Sequence, residues 1–219
     1  MHTACPAHAC APAPQTLVIE PSILYFGTPV ALISTLSEDG TTNLSPISSL
    51  WALGRRIVLG MGCSGLGAEN LMRGGECVIN LPSAALWRQV ESIGRATGRD
   101  PVPEHKRAMG YVHEADKFSR AGLTPAASEE VAPLRVLECP LQIEARLLQA
   151  HRPAGWPHDP DATAFVMLET QALRVHAHCD IVVPGTHHID TSAWEPLLYV
   201  FRHYFGTGGR LGANFRAEA

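Results

Sequence analysis

Lysine is scarce in this chain, since only Lys106 and Lys117 occur among its 219 residues. Lys and Arg together number 17 against 21 Asp and Glu, which gives a formal charge of −4 with neutral histidines. Contacts with a phosphate backbone require a basic surface, which this composition does not provide. The balance of charge therefore argues against nucleic acid as a partner.

Long apolar runs are also absent. The runs at 29–36 and 135–141 are much shorter than the roughly 20 residues of a membrane-spanning helix. The first fifteen residues lack the cationic and apolar segments of a secretory signal. Six cysteines spread over the chain are too sparse for a disulfide scaffold. We therefore expect a cytoplasmic globular protein that does not cross a membrane.

What the sequence does contain is a series of β-strand patterns. An apolar, β-branched run at 29–36 is followed by an Asp-Gly turn and a second strand, which predicts a hairpin. Further strands are predicted at 56–61, 76–81, 135–150 and 165–178, with a short helix at 68–73. Because strands dominate without an alternation of strand and helix, the predicted fold class is mainly β, a β-barrel with peripheral helices.

The chain divides unevenly into an arm and a domain. Residues 1–16 are rich in Ala, Pro, Cys and His without periodicity, which predicts a flexible N-terminal arm. Residues 17–219 are predicted to form a single domain. Its helical insertion spans about 83–133, and a C-terminal helical segment is predicted around the apolar residues 194–205.

Two segments have the composition of a binding site. The first is the polar bend at 43–51, where Asn and Ser side chains flank Pro46 and are followed by Leu50 and Trp51. This bend suits a flat, aromatic-sized ligand, although a polar strand edge with an Asn/Ser turn explains it equally well. The second is the glycine loop at 62–70, which leads into a helix and can expose backbone N–H groups to an anion. A tight strand-to-helix connection is the simpler explanation of that loop alone.

Taken together, these segments resemble the flavin reductase-like, FMN-binding split-barrel flavoproteins over about 20–212. The resemblance is carried by TPVALIST with its Asp-Gly turn, Asn43-x-x-Pro46-x-Ser48, ENL leading into GECVINLP, and LECPLQIEARL. HKRAMGY, DKFSRAGLTP and PLLYVFRHYF are similar to the branch of the family with longer insertions. The resemblance implies an FMN-binding split β-barrel, a homodimer with FMN near the subunit interface, and hydride transfer from NADH or NADPH to the flavin.

The resemblance also implies which residues bind the cofactor. Those expected along the isoalloxazine ring and ribityl chain are Asn43, Pro46, Ser48, Ser49, Leu50 and Trp51. Those expected toward the phosphate are Ser64, Gly65, Gly67, Ala68 and Asn70. No catalytic side chain is expected, because the chemistry belongs to the flavin and the nicotinamide.

The chain departs from the family pattern in the phosphate loop. Relatives commonly have Lys or Gln followed by Thr where this chain has Leu66 and Gly67. The phosphate is then expected to depend on Ser64, on the helix dipole and on the backbone amides at Gly65, Gly67 and Ala68. The candidates for a charged partner are Lys106, Lys117 and Arg73.

Two other kinds of function remain as alternatives. One is a non-enzymatic flavin-binding or flavin-sensing protein. The other is a metal or thiol regulator that uses Cys5, His8 and Cys10 or the histidines and cysteine at 176–188. Neither cluster has the paired spacing of a zinc site, so no metal is expected.

Overall fold

The computed structural model describes residues 16–158 and 164–212. The predicted arm therefore lies almost entirely outside the described residues. The main sheet has seven strands, which are β2 (Ala31–Leu36), β3 (Thr42–Ile47), β4 (Leu50–Leu53), β5 (Arg56–Gly62), β6 (Glu76–Leu81), β11 (Leu141–His151) and β12 (Phe165–Ala177). Their order in the sheet is β3-β2-β6-β11-β12-β5-β4, and every neighbouring pair is antiparallel.

Chain connectivity requires this sheet to curl. Strands β3 and β4 lie at opposite edges of the sheet, yet β3 ends at Ile47 and β4 begins at Leu50. Two intervening residues span at most about 10 Å, so the two edges must lie next to each other. The Gly60 N–H also donates to the Ser49 carbonyl at 2.6 Å, which ties the corner between β3 and β4 to strand β5. The sheet is thus the curled half of a split barrel, as the sequence predicted.

The barrel interior follows the two-residue period of its strands. In β5 the side chains of Ile57, Leu59 and Met61 are buried, while those between them are more exposed. Helix α1 (Leu66–Gly74) adds Ala68 and Leu71 to the same apolar cluster. Alternation of this kind is the signal from which the strands were predicted.

The insertion forms a second layer outside the barrel. Its helices are α2 (Trp87–Ser92), α3 (Glu104–Ala108) and α4 (Lys117–Ala121), preceded by a 3₁₀ turn at Ala84–Leu86. Its short strand pairs are β7 (Ala96–Thr97) with β8 (Val112–His113), and β9 (Pro125–Ala126) with β10 (Arg135–Val136). A second apolar cluster, which includes Leu32, Ile93 and Phe118, joins this layer to the outer face of β2.

The prediction of a C-terminal helical segment is wrong. The segment forms a hairpin of β13 (Leu198–Val200) and β14 (His203–Phe205), and β13 also pairs with β1 (Phe26–Pro29). The apolar and aromatic residues there are spaced for a two-residue alternation as well as for a helix. Pairing with β1 and burial of Leu197 decide between the two in favour of the strand.

A further 3₁₀ turn follows β12 at Cys179–Ile181. Within residues 16–158 and 164–212, no helix has the length and apolar character needed to cross a membrane.

Candidate functional site

A cleft of about 590 Å³ lies between the corner of the barrel and the insertion. Its volume falls within the range of small-molecule and cofactor sites. One wall is the corner between β3 and β4, and a second is the start of helix α1. The insertion supplies a third wall, and Tyr25 with the C-terminal hairpin closes the far end.

The barrel corner contributes a continuous strip of chain to the cleft, from Ser45 to Ser49. The strip is held in place at its end, where Tyr25 Oη and Ser49 Oγ are 2.9 Å apart. A Cβ at Gly60 would lie 2.8 Å from Ser49 Cβ, so glycine is needed for the strip to pass this close to β5. The corner therefore offers fixed hydroxyl and backbone groups along a narrow surface.

The start of helix α1 forms the second wall. Gly65 occupies the N-cap position, and no side chain caps the helix there. Uncapped N–H groups and the helix dipole both favour an anion at this position. A Cβ at Gly67 would lie 2.4 Å from Ser45 Oγ and 3.0 Å from Met61 Cε, so glycine allows the helix start to approach the corner.

Both lysines of the chain line this same cleft. Lys106 donates to the Ser64 carbonyl at 3.3 Å, beside the start of α1. Lys117 is only 4% exposed, and its Nζ donates to Asn43 Oδ1 and the Leu44 carbonyl, each at 2.8 Å. Among the ion pairs of the described residues, none includes either lysine. The cleft thus contains two lysines whose ammonium groups are held by neutral acceptors, and Arg95 lines it as well.

The surroundings of the two lysines disfavour their protonated form. Burial, and then the positive charge of Lys106, lower the pKa of Lys117 to about 8. Burial, and then the charge of Arg99, also lower the pKa of Lys106. An anion bound between the two lysines would remove much of this penalty, because an opposite charge favours the protonated form.

The far end of the cleft is aromatic. The ring centroids of Tyr25 and Tyr199 are 5.4 Å apart in an edge-to-face arrangement, and those of Tyr199 and Tyr204 are 5.6 Å apart. The Tyr204 hydroxyl donates to Glu91 Oε2 at 3.0 Å. Burial, and then this bond to a carboxylate, raise the pKa of Tyr204. This end can contact a flat ligand through ring faces and edges while Tyr204 stays protonated.

The structure brings six of the eleven residues predicted to bind the cofactor into the cleft. They are Pro46, Ser48, Ser49, Ser64, Gly65 and Gly67. The other five do not line it, each for a local reason.

Three of these five lie behind the cleft wall or in the core. Asn43 lies behind the cleft wall, where its Oδ1 accepts a hydrogen bond from Lys117 Nζ. Leu50 packs against the apolar cluster inside the barrel, and Ala68 belongs to that cluster.

The other two face away from the cleft. Trp51 is 58% exposed and lies with Leu53 on a separate groove, because alternation along β4 turns it away from its neighbour Leu50. Asn70 donates to Thr35 Oγ1 and Ser37 Oγ and accepts from Arg73. Arg73 is thereby directed away from the cleft, which excludes it from the three candidate cations.

Several residues of the site were missed in the sequence. Gly98 lines the cleft, and a Cβ there would lie 2.6 Å from Leu66 Cδ2 and 2.9 Å from Asn43 Oδ1. Its neighbours are distant in sequence, so no local pattern marks it. The three tyrosines were not predicted either. A paired-strand interpretation of residues 198–205 would have placed Tyr199 opposite Tyr204, as the hairpin does.

The histidine and cysteine clusters do not form a metal centre in the described part of the chain. His176 Nε2 lies 2.6 Å from Glu144 Oε1, and His178 Nε2 bonds the Leu137 carbonyl at 2.8 Å. No group of three or more His, Cys, Asp or Glu side chains in residues 16–158 and 164–212 is placed to hold a metal ion. Cys5, His8 and Cys10 lie outside the described residues.

The curled barrel and its cleft define a split-barrel protein with a site for a flat, anionic ligand. Residues 23–208 match the family described as the flavin reductase like domain, so the chain belongs to that family. The protein YdfE of Bacillus subtilis (strain 168) is 46% identical over 200 residues, which cover 91% of this chain and 93% of that protein.

Solved structures share the fold at lower sequence identity. Flavoredoxin of Desulfovibrio vulgaris (Miyazaki F) has a TM-score of 0.72 at 21% identity, covering 93% of this chain and 98% of that one. Component B of nitrilotriacetate monooxygenase from Bacillus cereus has a TM-score of 0.71 at 17% identity, covering 92% of this chain and 100% of that one.

Proposed function

We propose that this protein is an FMN-dependent oxidoreductase that takes a hydride from NADH or NADPH, a NAD(P)H:flavin reductase. The observation that supports this most directly is the pair of lysines, Lys106 and Lys117, in the cleft of a flavin reductase-like fold. Within the described residues, neither lysine forms an ion pair with a carboxylate. Flavoproteins of this fold need a site for one phosphate and one flat ring, and the cleft offers both.

The lysine end fits the phosphate of FMN. Gly65 and Ser64 border an uncapped helix start, and Lys106 lies beside them. His105 Nε2 is 3.1 Å from Ser64 Oγ, and this contact holds the hydroxyl beside the start of α1. The two lysines, which come from the insertion, supply donors to the phosphate in place of the side-chain donors that relatives commonly have where this chain has Leu66 and Gly67.

The barrel corner fits the ring and the ribityl chain. Pro46, Ser48 and Ser49 present an ordered edge of backbone and hydroxyl groups, and the glycine at 60 keeps that edge in place. Bound FMN supplies the N5 atom that accepts a hydride from nicotinamide C4. The residues of this chain orient the two rings and exclude water, since transfer requires the reacting atoms about 3 to 3.5 Å apart.

Titration of the apoprotein with FMN and with riboflavin tests the phosphate end. We expect wild-type protein to bind FMN more tightly than riboflavin. Lys106→Met should weaken FMN about tenfold, as expected for one charge-assisted contact, and leave riboflavin unchanged. Arg73→Met is the matched control and should alter neither affinity, because Arg73 bonds the Leu36 carbonyl and Asn70 outside the cleft.

Anaerobic addition of NADH and NADPH to the FMN-loaded protein tests the reaction. Loss of the oxidised flavin absorbance is the expected result with at least one nucleotide. Retention of the flavin without reduction would instead support a flavin-binding or flavin-sensing protein. Equal affinity for FMN and riboflavin would contradict the phosphate site.

We also propose that the protein is a homodimer. Trp51 and Leu53 are 58% and 76% exposed, and they border an outer groove together with Val58 and Met167. Exposed apolar patches of this kind mark interaction surfaces. Light scattering of the FMN-loaded protein at micromolar concentration tests the proposal, and a monomeric mass would contradict it.

A further inference from the structure

The turn of the C-terminal hairpin is strained. Strands β13 and β14 are joined by Phe201 and Arg202 alone, with φ of 42° and 72°. Two-residue turns with positive φ at both positions favour Asn-Gly or Asp-Gly, and a bulky side chain in this region is an outlier. Strain of this kind persists where surrounding structure enforces it, and it concentrates at functional sites.

The strained turn lies beside the aromatic end of the cleft. The residues two before and two after it, Tyr199 and Tyr204, both line the cleft. The Phe201 N–H donates at 2.7 Å to the carbonyl of Tyr25, which lines the cleft as well. The turn itself is outside the cleft lining, but it joins two residues that belong to that lining. A ligand that extends from the cleft past the tyrosines can therefore reach it.

The side chains of the turn are available to such a ligand. The phenyl ring of Phe201 is 46% exposed, and Arg202 is exposed beside it. Burial raises the pKa of Tyr199, and the charge of Arg202 partly offsets that rise, so the guanidinium acts within the aromatic cluster. An exposed aromatic side chain and an exposed guanidinium on one turn complement a flat heteroaromatic group that carries a phosphate.

The lysines that suit the FMN phosphate lie at the opposite end of the cleft, at the start of α1. The hairpin end is thus left for a second ligand. We propose that Phe201 and Arg202 form a docking site for the nicotinamide nucleotide, in which Phe201 contacts one of its rings and Arg202 pairs with one of its phosphates. This inference rests on the proposed function and assigns residues to its electron donor.

The double variant Phe201→Asn/Arg202→Gly tests the proposal because it installs the preferred residues of this turn. Relief of strain should raise the Tm, by about 2 to 4 °C for each kcal/mol gained in a chain of this size. Titration of the FMN-loaded protein with NAD⁺ and NADP⁺ should show at least a tenfold loss of affinity for the nucleotide that wild type prefers. FMN affinity should not change.

A single variant isolates the contribution of the Arg202 side chain. Arg202→Gly should weaken the nucleotide and raise the half-saturating NADH or NADPH concentration for flavin reduction, with the limiting rate unchanged. Arg210→Gly is the matched control, since Arg210 is also an exposed arginine but lies beyond β14 and outside the turn. It should leave nucleotide affinity as in wild type.

Three outcomes would overturn the inference. The first is a double variant with a raised Tm and wild-type nucleotide affinity. The second is a change in oligomeric state in the double variant, which would assign the turn to a subunit contact. The third is a wild-type protein that binds FMN but neither nucleotide. A wild-type protein that binds no FMN would refute the proposed function itself, and the titration with FMN alone identifies that case.

Discussion

The two ends of the cleft use different chemistry and come from different parts of the chain. At the lysine end, the insertion places Lys106 and Lys117 against a glycine-rich helix start. At the hairpin end, the ring of Tyr199 contacts the rings of both Tyr25 and Tyr204. Buried positive charge at the lysine end favours an anionic ligand group, whereas the more exposed ring faces at the hairpin end favour a flat ligand group. Perturbations at the two ends should therefore have different effects on flavin binding.

The largest effect is expected from Gly67→Ala at the lysine end. The added Cβ would lie 2.4 Å from Ser45 Oγ and 3.2 Å from Ser45 Cβ. Because Met61 Cε would also lie 3.0 Å from the new Cβ, the side chains of Ser45 and Met61 must shift or the helix start must move away from the barrel corner. We expect a loss of about 1 to 3 kcal/mol in the free energy of unfolding, together with loss of measurable FMN binding. Urea unfolding and FMN titration provide the two measurements.

Gly74→Ala is the matched control in the same helix. A Cβ at Gly74 meets nothing within 4 Å, so this variant should be neutral or slightly more stable. Wild-type FMN affinity in Gly67→Ala would mean that the close approach of α1 to the corner is unimportant for the site.

The second-largest expected effect is the pH dependence of the free energy of unfolding that Lys117 confers. Its pKa in the folded protein, about 8, lies below the ordinary 10.5, so the unfolded chain binds more protons between these values. Stability of the apoprotein should therefore rise with pH across that window. Between pH 7.5 and 9.5 we expect a gain of about 2 kcal/mol that Lys117→Met lacks. Denaturant unfolding of both proteins at the two pH values measures the difference.

Flavin binding should follow the opposite trend. Deprotonation of Lys117 removes a cation from the cleft, so wild-type FMN affinity should fall about tenfold or more over the same range. Lys117→Arg retains its charge at pH 9.5, and its FMN affinity should stay constant. Identical pH profiles in wild type and Lys117→Met would show that Lys117 does not titrate in this window.

The smallest effect is expected at the hairpin end from Tyr204→Phe. The substitution removes the bond to Glu91 but keeps the ring and its contact with Tyr199. Loss of one partly exposed hydrogen bond should cost about 1 kcal/mol in stability and change the FMN affinity less than twofold. A loss of FMN affinity as large as that in Lys106→Met would show that the two ends do not act separately.

Most of the barrel could be predicted from local patterns. The two-residue alternation in β5, the apolar run of β2 and the Asp-Gly turn after it each depend on neighbouring residues alone. The same signal was ambiguous at 194–205, where aromatic residues fit both a helix and a hairpin. Only the pairing of this segment with β1 shows that it forms strands.

The site was predictable where its residues are contiguous. Pro46, Ser48 and Ser49 follow one another on the barrel corner, and Ser64, Gly65 and Gly67 do so at the helix start. Trp51 was misplaced because a strand turns successive side chains to opposite faces, and the register of the bend was not known. Lys106 and Lys117 were candidates with Arg73 until the structure showed which of them face the cleft.

By itself, the sequence determined the strands, the glycine-rich start of α1 and the scarcity of lysine, because each depends on residue type and short-range spacing. Tertiary structure alone decided that both lysines line one cleft, that Asn43 accepts a hydrogen bond from Lys117, and that Gly98 lies against Leu66 and Asn43. The contact between Lys117 and Asn43 joins residues 74 apart in sequence, and it exists because the insertion packs against the outer face of the barrel. Long-range approach of this kind follows from how the chain packs, and no local pattern encodes it.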